Sequence, residues 1–394
     1  MNGSDHLTKE FFRRILDADN VKSLYLSNGC SGGDNFSSKV YRAVVNYKKD
    51  KTKDTASFIV KCISYEGEKA FLETMDIYNT EISFYTEMIP KMELVLKDKI
   101  APAFYYSSED PVRTIVFEDL VEKGYEIADR LKGLNFEQSK LVIKKLARFH
   151  ASSAIVAEMN PELIEKYKTH MFHNLVDHIV VVEEMFLKNF DYLIELVDGW
   201  EDFDAISLKL KKFKENFMFY AQKVTTRDLH GFNVINHGDC WVNNFMFKRD
   251  GGKFVDALFI DLQMCYFGSP GLDINYFLTT SVQLDVLQTK RYDLIHLYYN
   301  ELKSVLEMNN YRNPPSYEDI KRTLYRTEFY AIWALECAFP LISMDPSAPT
   351  TNSFDLLSDS TAVEDRRKIM FHSKRFMTTA KYLLDRWNEL GVLD

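Results

Sequence analysis

Apolar residues recur along this chain with two different periods, and the change from one to the other divides it. Leu7, Phe11, Phe12, Ile15 and Leu16 fall on one face of a short N-terminal helix. Strand-like stretches follow at 39–47, 56–63, 100–107 and 113–117, rich in β-branched and aromatic residues. The charge run over 48–54 reads as a solvated hairpin loop between the first two. One helical segment, over roughly 67–88, interrupts the strands and carries Ile77, Tyr78, Ile82, Phe84 and Tyr85. The first part of the chain therefore predicts a mainly antiparallel sheet with one helix. Beyond it the helical period takes over. Residues 136–159 form a long amphipathic pattern through Leu141, Ile143, Leu146, Ala147, Phe149 and Ile155. The stretch 161–229 is helical, charged and aromatic, and the chain after 264 is mostly helical again, interrupted at 313–316 and 344–352. No internal repeat is evident.

Residues 236–263 break this pattern. Two strand-like segments, 244–247 and 254–260, flank a polar 248–253 whose Asp250-Gly251-Gly252 is turn chemistry. His237-Gly238-Asp239 stands just before the first segment, Asn244 follows Asp239 by five positions, and Asp261 comes directly after the second. A hairpin brings the loop before its first strand beside the end of its second. Asp239, Asn244 and Asp261 then converge, giving two carboxylates and a carboxamide in one place. Such a set suits a hard, oxygen-preferring cation such as Mg²⁺ held against phosphates. It also leaves a carboxylate to accept a hydroxyl proton.

Other candidate residues keep two readings each. The Gly/Ser/Asn run over 28–38 lies between β segments; it is a plain turn or a cup of amide N–H groups for phosphate oxygens. Lys61, inside an apolar strand, either snorkels from a sheet edge or presents its ammonium to nucleotide phosphates. Glu81 stands among apolar positions of the 67–88 helix as its carboxylate partner, with Glu73, Asp76 and Glu87 as competitors. His150 reads as a core residue. His170, His173 and His178 are spaced for a metal but have no cysteine nearby, and a packed or solvated helix accounts for them. Asp273 follows Pro and Gly where a helix begins and reads as an N-cap. Cys240 and Trp241 either line the site or pack beneath it, and packing is the preferred reading. Tyr330, Trp333 and Glu336 are of the types that cage a quaternary ammonium, and a buried helix face explains them equally.

Composition narrows the classes. The 394 residues suffice for two domains or lobes, each with its own core, and 46% hydrophobic with 27% charged residues describes a globular protein. A net charge of −9 argues against a broad nucleic-acid footprint. Five cysteines without a CxxC pair point to reduced thiols rather than a disulfide framework. The N-terminal stretch has no secretory apolar core, and no run reaches the roughly 18 apolar residues of a membrane span. These features predict a cytoplasmic protein with neither a membrane nor a nucleic-acid partner.

H-x-D-x4-N followed by an aspartate at a strand end resembles the phosphotransfer signature of the kinase-like fold. The form here, HGDCWVNN with FIDLQ, FIVK, EISFY and FEDL, resembles the ecdysteroid kinase-like proteins of insects, which group with the choline and aminoglycoside kinases. The resemblance runs in matching order from the Gly/Ser loop to the Asp273 segment. It implies an α+β, two-lobed protein-kinase-like fold, with a small antiparallel-sheet nucleotide-binding lobe over 1–118 and a large, mainly helical lobe over 119–394. It implies transfer of the γ-phosphate of ATP, with Mg²⁺, to a hydroxyl of a small organic molecule, an ecdysteroid alcohol, by a monomeric enzyme. A xenobiotic hydroxyl, a choline-like amine and a catalytically silent carrier are the alternatives. By the same resemblance Asp239 is the base, Asn244 and Asp261 are the metal ligands, and Lys61 with Glu81 holds the phosphates. Ser31, Gly32, Gly33, Asn35, Phe36 and Ser37 belong to the phosphate loop. Glu118, Asp119 and Leu120 form the adenine-facing hinge, and Asp273 braces the catalytic loop. Asp261 is followed by Leu-Gln, where protein kinases carry Phe-Gly, and no Ala-Pro-Glu element follows; both departures fit a small-molecule acceptor.

Overall fold

A computed structural model describes residues 4–29, 38–63, 71–175, 178–345 and 360–394. The expected phosphate-loop residues Ser31, Gly32, Gly33, Asn35, Phe36 and Ser37 lie outside the described residues.

Helix α1 (Lys9–Leu16) starts where the Thr8 hydroxyl accepts from the Phe11 N–H, and it buries Phe12. Five strands, β1 (Asn20–Asn28), β2 (Ser38–Lys49), β3 (Thr52–Ile63), β4 (Phe104–Ser108) and β5 (Arg113–Glu118), form one antiparallel sheet in the order β1-β2-β3-β5-β4. β2 and β3 pair without a slip from Ser38↔Ile63 to Lys49↔Thr52. Asp50 and Lys51 turn between them at φ 47° and 64°, the left-handed pair whose twist matches a two-residue hairpin. Along β3 the side chains alternate. Phe58, Val60 and Cys62 bury against Phe12, Ala43, Val45 and Val116, which leaves Ile59 and Lys61 for the opposite face. β3 is an interior strand, with Lys61 paired to Val40 on one side and Ile115 on the other. Snorkelling from a sheet edge is thereby excluded.

The helix predicted over 67–88 is displaced. A short turn, Phe71–Thr74, comes first, and Asp76 at φ 48° separates it from the helix proper. Helix α2 then runs Ile77–Ser83, widens into one π turn over Phe84–Met88 and continues over Ile89–Leu96. Pro90 accounts for both the widening and the extension. Its nitrogen has no hydrogen to donate, and a π turn moves aside the carbonyl that its ring would strike. The strand predicted over 100–107 starts only at Phe104, because Pro102 gives no ladder bond and the Ile100 carbonyl accepts instead from the Phe259 N–H at 2.9 Å.

The chain then crosses to the mainly helical part. β6 (Tyr125–Ile127) joins β8 (Phe245–Asp250) and β9 (Lys253–Phe259) in a sheet of order β6-β8-β9, and β7 (Val234–Asn236) pairs β10 (Tyr266–Gly268). Helix α3 (Phe136–Met159) has the predicted bounds and opens on a capping box between Asn135 and Gln138. Helices α4 (Gly271–Thr280) and α5 (Leu284–Met308) follow. Helix α6 repeats the design of α2: Glu328–Trp333, a π turn over Ala334–Ala338, then Phe339–Ser343 with Pro340 just past the turn. One buried cluster runs from α2 and β5 through α3, β9 and α4 to the C-terminal helix, including Phe84, Phe117, Phe149, Phe259, Phe277 and Trp387. The result is a two-lobed, protein-kinase-like α+β fold: a small antiparallel sheet with its helix, set on a larger helical body.

Candidate active site

The hairpin of β8 and β9 does what its sequence pattern predicts. Gly251 and Gly252 turn it at positive φ, Phe245 pairs with Phe259, and the Ile260 N–H donates to the Asn244 carbonyl at 3.0 Å. The residue before β8 and the residue after β9 therefore sit side by side. The Asn244 amide reaches back to Asp239, donating to its backbone carbonyl at 2.8 Å and to its Oδ2 at 3.0 Å. Asp261 leaves the strand at φ 64°, ψ 54°, a left-handed conformation that disfavours a residue with a Cβ by about 1 kcal/mol or more and that concentrates at functional sites.

The loop carrying Asp239 is held from below. The Asp273 carboxylate accepts the His237 N–H at 2.6 Å and the Gly238 N–H at 3.0 Å. His150 Nε2 donates to the same carboxylate at 3.1 Å, while its Nδ1 accepts from the Tyr298 hydroxyl at 2.8 Å. Asp273 thus lies inside α4 as a brace, and the N-cap reading falls, since Pro270 occupies that position. His150 is a satisfied core residue, as expected, and also the outer support of the brace. Gly238 sits at φ +82°, and a Cβ there would stand 1.9 Å from the Met264 carbonyl oxygen; only glycine fits.

Lys61 arrives from the small sheet. Its ammonium donates to Glu81 at 2.6 Å, to Gln263 Oε1 at 3.0 Å and to Asp261, so three acceptors meet its three hydrogens. Lys61 is 4% exposed and Glu81 1%. Glu81 is therefore the partner; Glu73 pairs instead with Arg113, Glu87 with Lys166, and Asp76 with Asn79. Burial pushes the Glu81 carboxyl up, Lys61 pulls it down and the Asp261 charge adds to the rise. The two anionic partners hold Lys61 protonated against its burial. Burial, then the charge of Asp261, raises the Asp239 carboxyl, while His237, Tyr276 and Trp241 oppose the rise.

These groups share one cleft of about 630 Å³, whose lining includes Lys61, Glu81, Glu118, Asp119, Leu120, Asp239, Asn244, Asp261 and Gln263. At the junction of the lobes the side chains are already engaged. Asp119 accepts from Arg42 Nε and the Ser57 hydroxyl, each at 2.6 Å, and Glu118 pairs with Lys99. The Leu120 carbonyl accepts from the Lys123 and Tyr125 N–H groups at 3.0 and 3.1 Å, which uses both its lone pairs. Leu120 packs on Met246 and Leu258 beneath the cleft.

The donor chemistry suits a hard divalent cation. Asp239 takes both Nδ2 hydrogens of Asn244, which leaves the Asn244 Oδ1 free of that pairing, and Asn244 and Asp261 line the same cleft. Among the described residues no group of three or more His, Cys, Asp or Glu side chains is built to hold a metal alone. Mg²⁺ commonly relies on one or two protein oxygens and completes its shell with phosphates and water. His170, His173 and His178 do not form a site; they bond separately to Tyr330, Thr225 and Thr74.

Three contributors escaped sequence reasoning. Gln263 was visible only as the residue that departs from the protein-kinase pattern, yet it completes the Lys61 cluster. Trp241, expected as packing, donates its indole N–H to Asp239 Oδ2 at 3.1 Å. Tyr276 donates its hydroxyl to Asp239 Oδ1 at 2.9 Å; its signal was its place one helical turn beyond Asp273, on the same face.

Fold and cleft together define a small-molecule kinase type of protein: a sheet lobe carries a buried lysine–glutamate pair to a loop-and-hairpin set of Asp, Asn and Asp, with Leu-Gln after the last aspartate. The chain belongs to the ecdysteroid kinase-like family, whose sequence profile matches residues 32–311. No curated protein matches it. Similar solved structures include an ethanolamine kinase from Plasmodium vivax, 12% identical over 89% of this chain and 80% of that one, with a TM-score of 0.43. An aminoglycoside 2′-phosphotransferase in complex with GDP is 10% identical over 95% and 99%, TM-score 0.44. A choline/ethanolamine kinase family protein from Mesorhizobium loti is 9% identical over 95% and 98%, TM-score 0.37. Among the described residues no helix is long and apolar enough to cross a membrane.

Proposed function

We propose that this protein is an ATP-dependent kinase that transfers the γ-phosphate to a hydroxyl of an apolar small molecule, an ecdysteroid alcohol being the class that fits best. The observation that carries this reading is the meeting of Lys61, Glu81 and Asp261 with Asp239 and Asn244 across one cleft. Phosphoryl transfer asks a protein for alignment and charge compensation more than for covalent chemistry. Lys61, fixed by Glu81, neutralises phosphate oxygens. Asn244 and Asp261 hold Mg²⁺, which when bound supplies further positive charge. Asp239 orients the acceptor hydroxyl and takes its proton as oxygen bonds to phosphorus and the nucleoside diphosphate leaves. On this reading the nucleotide enters where the lobes divide, at Glu118 and Asp119.

The acceptor class follows from the far wall of the cleft. It is made by Met171, Leu175, Val181, Met185 and Phe186 together with Trp333, Cys337, Leu341 and Ile342, none of them charged, the two segments meeting where Phe186 packs edge-on to Trp333 at 6.3 Å. Two π turns, Glu183–Leu187 and Ala334–Ala338, shape it, as is frequent at functional sites. Among the described residues of that wall a cationic amine finds no carboxylate. Glu336, a candidate for an ammonium cage, is fully buried outside the cleft lining, and burial pushes its carboxyl well above the usual range. Purified protein with ATP·Mg²⁺ should phosphorylate steroid alcohols in preference to choline, ethanolamine and aminoglycosides, read by product mass. Phosphocholine as the dominant product would overturn the acceptor assignment. Nucleotide-independent binding of steroids, with no transfer, would identify a carrier instead.

A further inference from the structure

We propose that Tyr276 is a positioning residue that selects Oδ1 of Asp239 as the oxygen receiving the acceptor proton. A carboxylate offers about four lone-pair positions, two on each oxygen. Oδ2 is filled: Trp241 Nε1 donates to it at 3.1 Å and Asn244 Nδ2 at 3.0 Å. Among the described residues Oδ1 accepts one hydrogen bond, from the Tyr276 hydroxyl at 2.9 Å. One position therefore remains, on Oδ1, and Asp239 is a half-buried residue of the cleft lining.

Helix α4 makes this arrangement rigid. Asp273 and Tyr276 are three residues apart and share a helix face. Asp273 holds the backbone of the loop through His237 and Gly238, and Tyr276 holds the side chain that the loop presents. The Tyr276 ring stacks on Trp333 with centroids 5.7 Å apart at 29°, and meets Tyr330 at 6.1 Å. A phenol clamped in this way has one direction in which to donate, and burial together with Asp239 keeps it protonated. The same ring contacts Trp333, which belongs to the acceptor wall, so one residue joins the wall to the base.

The inference rests on Asp239 as the proton acceptor. In the step so aligned, the acceptor O–H bond breaks and its proton passes to Oδ1. The oxygen lone pair forms the new bond to the γ-phosphorus, and the bridging P–O bond breaks, its electrons leaving with the diphosphate.

The test is Tyr276→Phe in the full chain, assayed with ATP·Mg²⁺ and ecdysone as probe, beside Trp241→Phe and Asp239→Asn. Tyr276→Phe keeps the stacked ring, so its melting temperature should match the parent within a few degrees. Its kcat should fall about tenfold or more, while the nucleotide KM and the stabilisation by ATP·Mg²⁺ stay within about twofold. Trp241→Phe, which leaves Oδ1 untouched, should lose only about threefold. Adding Tyr276→Phe to Asp239→Asn should change nothing further, since both remove one function. An unchanged kcat in Tyr276→Phe with Asp239→Asn inactive overturns the role of Tyr276 alone. A parallel rise in nucleotide KM, or an additive loss in the double variant, shows a merely structural tyrosine and also overturns it. Near-normal turnover of Asp239→Asn overturns the base itself, and this proposal with it.

Discussion

The two ends of the cleft are built on opposite principles. At the end proposed for the nucleotide, charged and polar groups are locked by short, numerous hydrogen bonds. Lys61 has three acceptors, Asp273 three donors from His237, Gly238 and His150, and Asp239 four polar neighbours. At the end proposed for the acceptor the wall is aliphatic, sulfur-bearing and aromatic, set on two π turns, and methionines 171 and 185 bring side chains that adapt their shape. A group that must align phosphorus and compensate charge tolerates little displacement. A surface that recognises an apolar alcohol by area tolerates much more. Substitutions should therefore be unforgiving at the first end and graded at the second.

The strongest break in that comparison comes from Asp261→Ala. It removes one proposed cation ligand and one partner of Lys61 together, so transfer should fall by about a thousandfold or more. Stabilisation by ATP should lose its dependence on Mg²⁺ in a thermal melt. Retained Mg²⁺-dependent stabilisation would remove Asp261 from the cation site. Gly238→Ala comes next. The added Cβ would stand 1.9 Å from the Met264 carbonyl at φ +82°, so the loop must shift. The expected cost is about 3 kcal/mol or more in unfolding free energy by denaturant titration, with activity nearly lost. A variant as stable and active as the parent would mean that the loop is not held as described.

The same contrast explains what could be read from the amino-acid sequence. Asp239, Asn244 and Asp261 lie within 23 residues of one another on a hairpin whose turn is written as Asp-Gly-Gly, so their meeting follows from local pairing. Lys61 and Glu81 needed a resemblance, because periodicity alone did not separate Glu81 from Glu73, Asp76 or Glu87. Tertiary packing made that choice, by burying Glu81 and leaving the others to Arg113, Asn79 and Lys166. The acceptor wall was illegible. It joins apolar positions scattered through the charged stretch 171–186 to others in 333–342, where the sequence offered Trp333 and Glu336 only as an ammonium cage or a buried helix face, and they form one wall only in the folded chain. The helix shift at 77–96 has a similar origin: a π turn just before Pro90 leaves no mark in a 3.6-residue period.

At the acceptor end, Trp333→Ala should raise the KM for a steroid alcohol about tenfold, equivalent to about 1.4 kcal/mol, and leave the nucleotide KM unchanged. Part of any loss of kcat would pass through Tyr276, which stacks on this indole; Trp333→Phe should restore most of it. Equal effects on both substrates would show that the wall and the nucleotide site are not separate regions.

The smallest effect sharpens the comparison most, because it concerns an uncharged residue among charged ones. Gln263 accepts from Lys61 at 3.0 Å and donates to Asp261 at 3.3 Å. Gln263→Met keeps the length of the side chain and removes these two contacts. Two carboxylates still hold the ammonium, so the fold should survive. One hydrogen bond of this kind contributes about 1 kcal/mol, which corresponds to about fivefold in the KM for ATP·Mg²⁺, with kcat and the acceptor KM nearly constant. A change confined to the acceptor KM would place Gln263 at the other end of the cleft. A loss of kcat with KM unchanged would mean that Gln263 serves the transition state, through the direction it gives to Lys61, more than it serves binding.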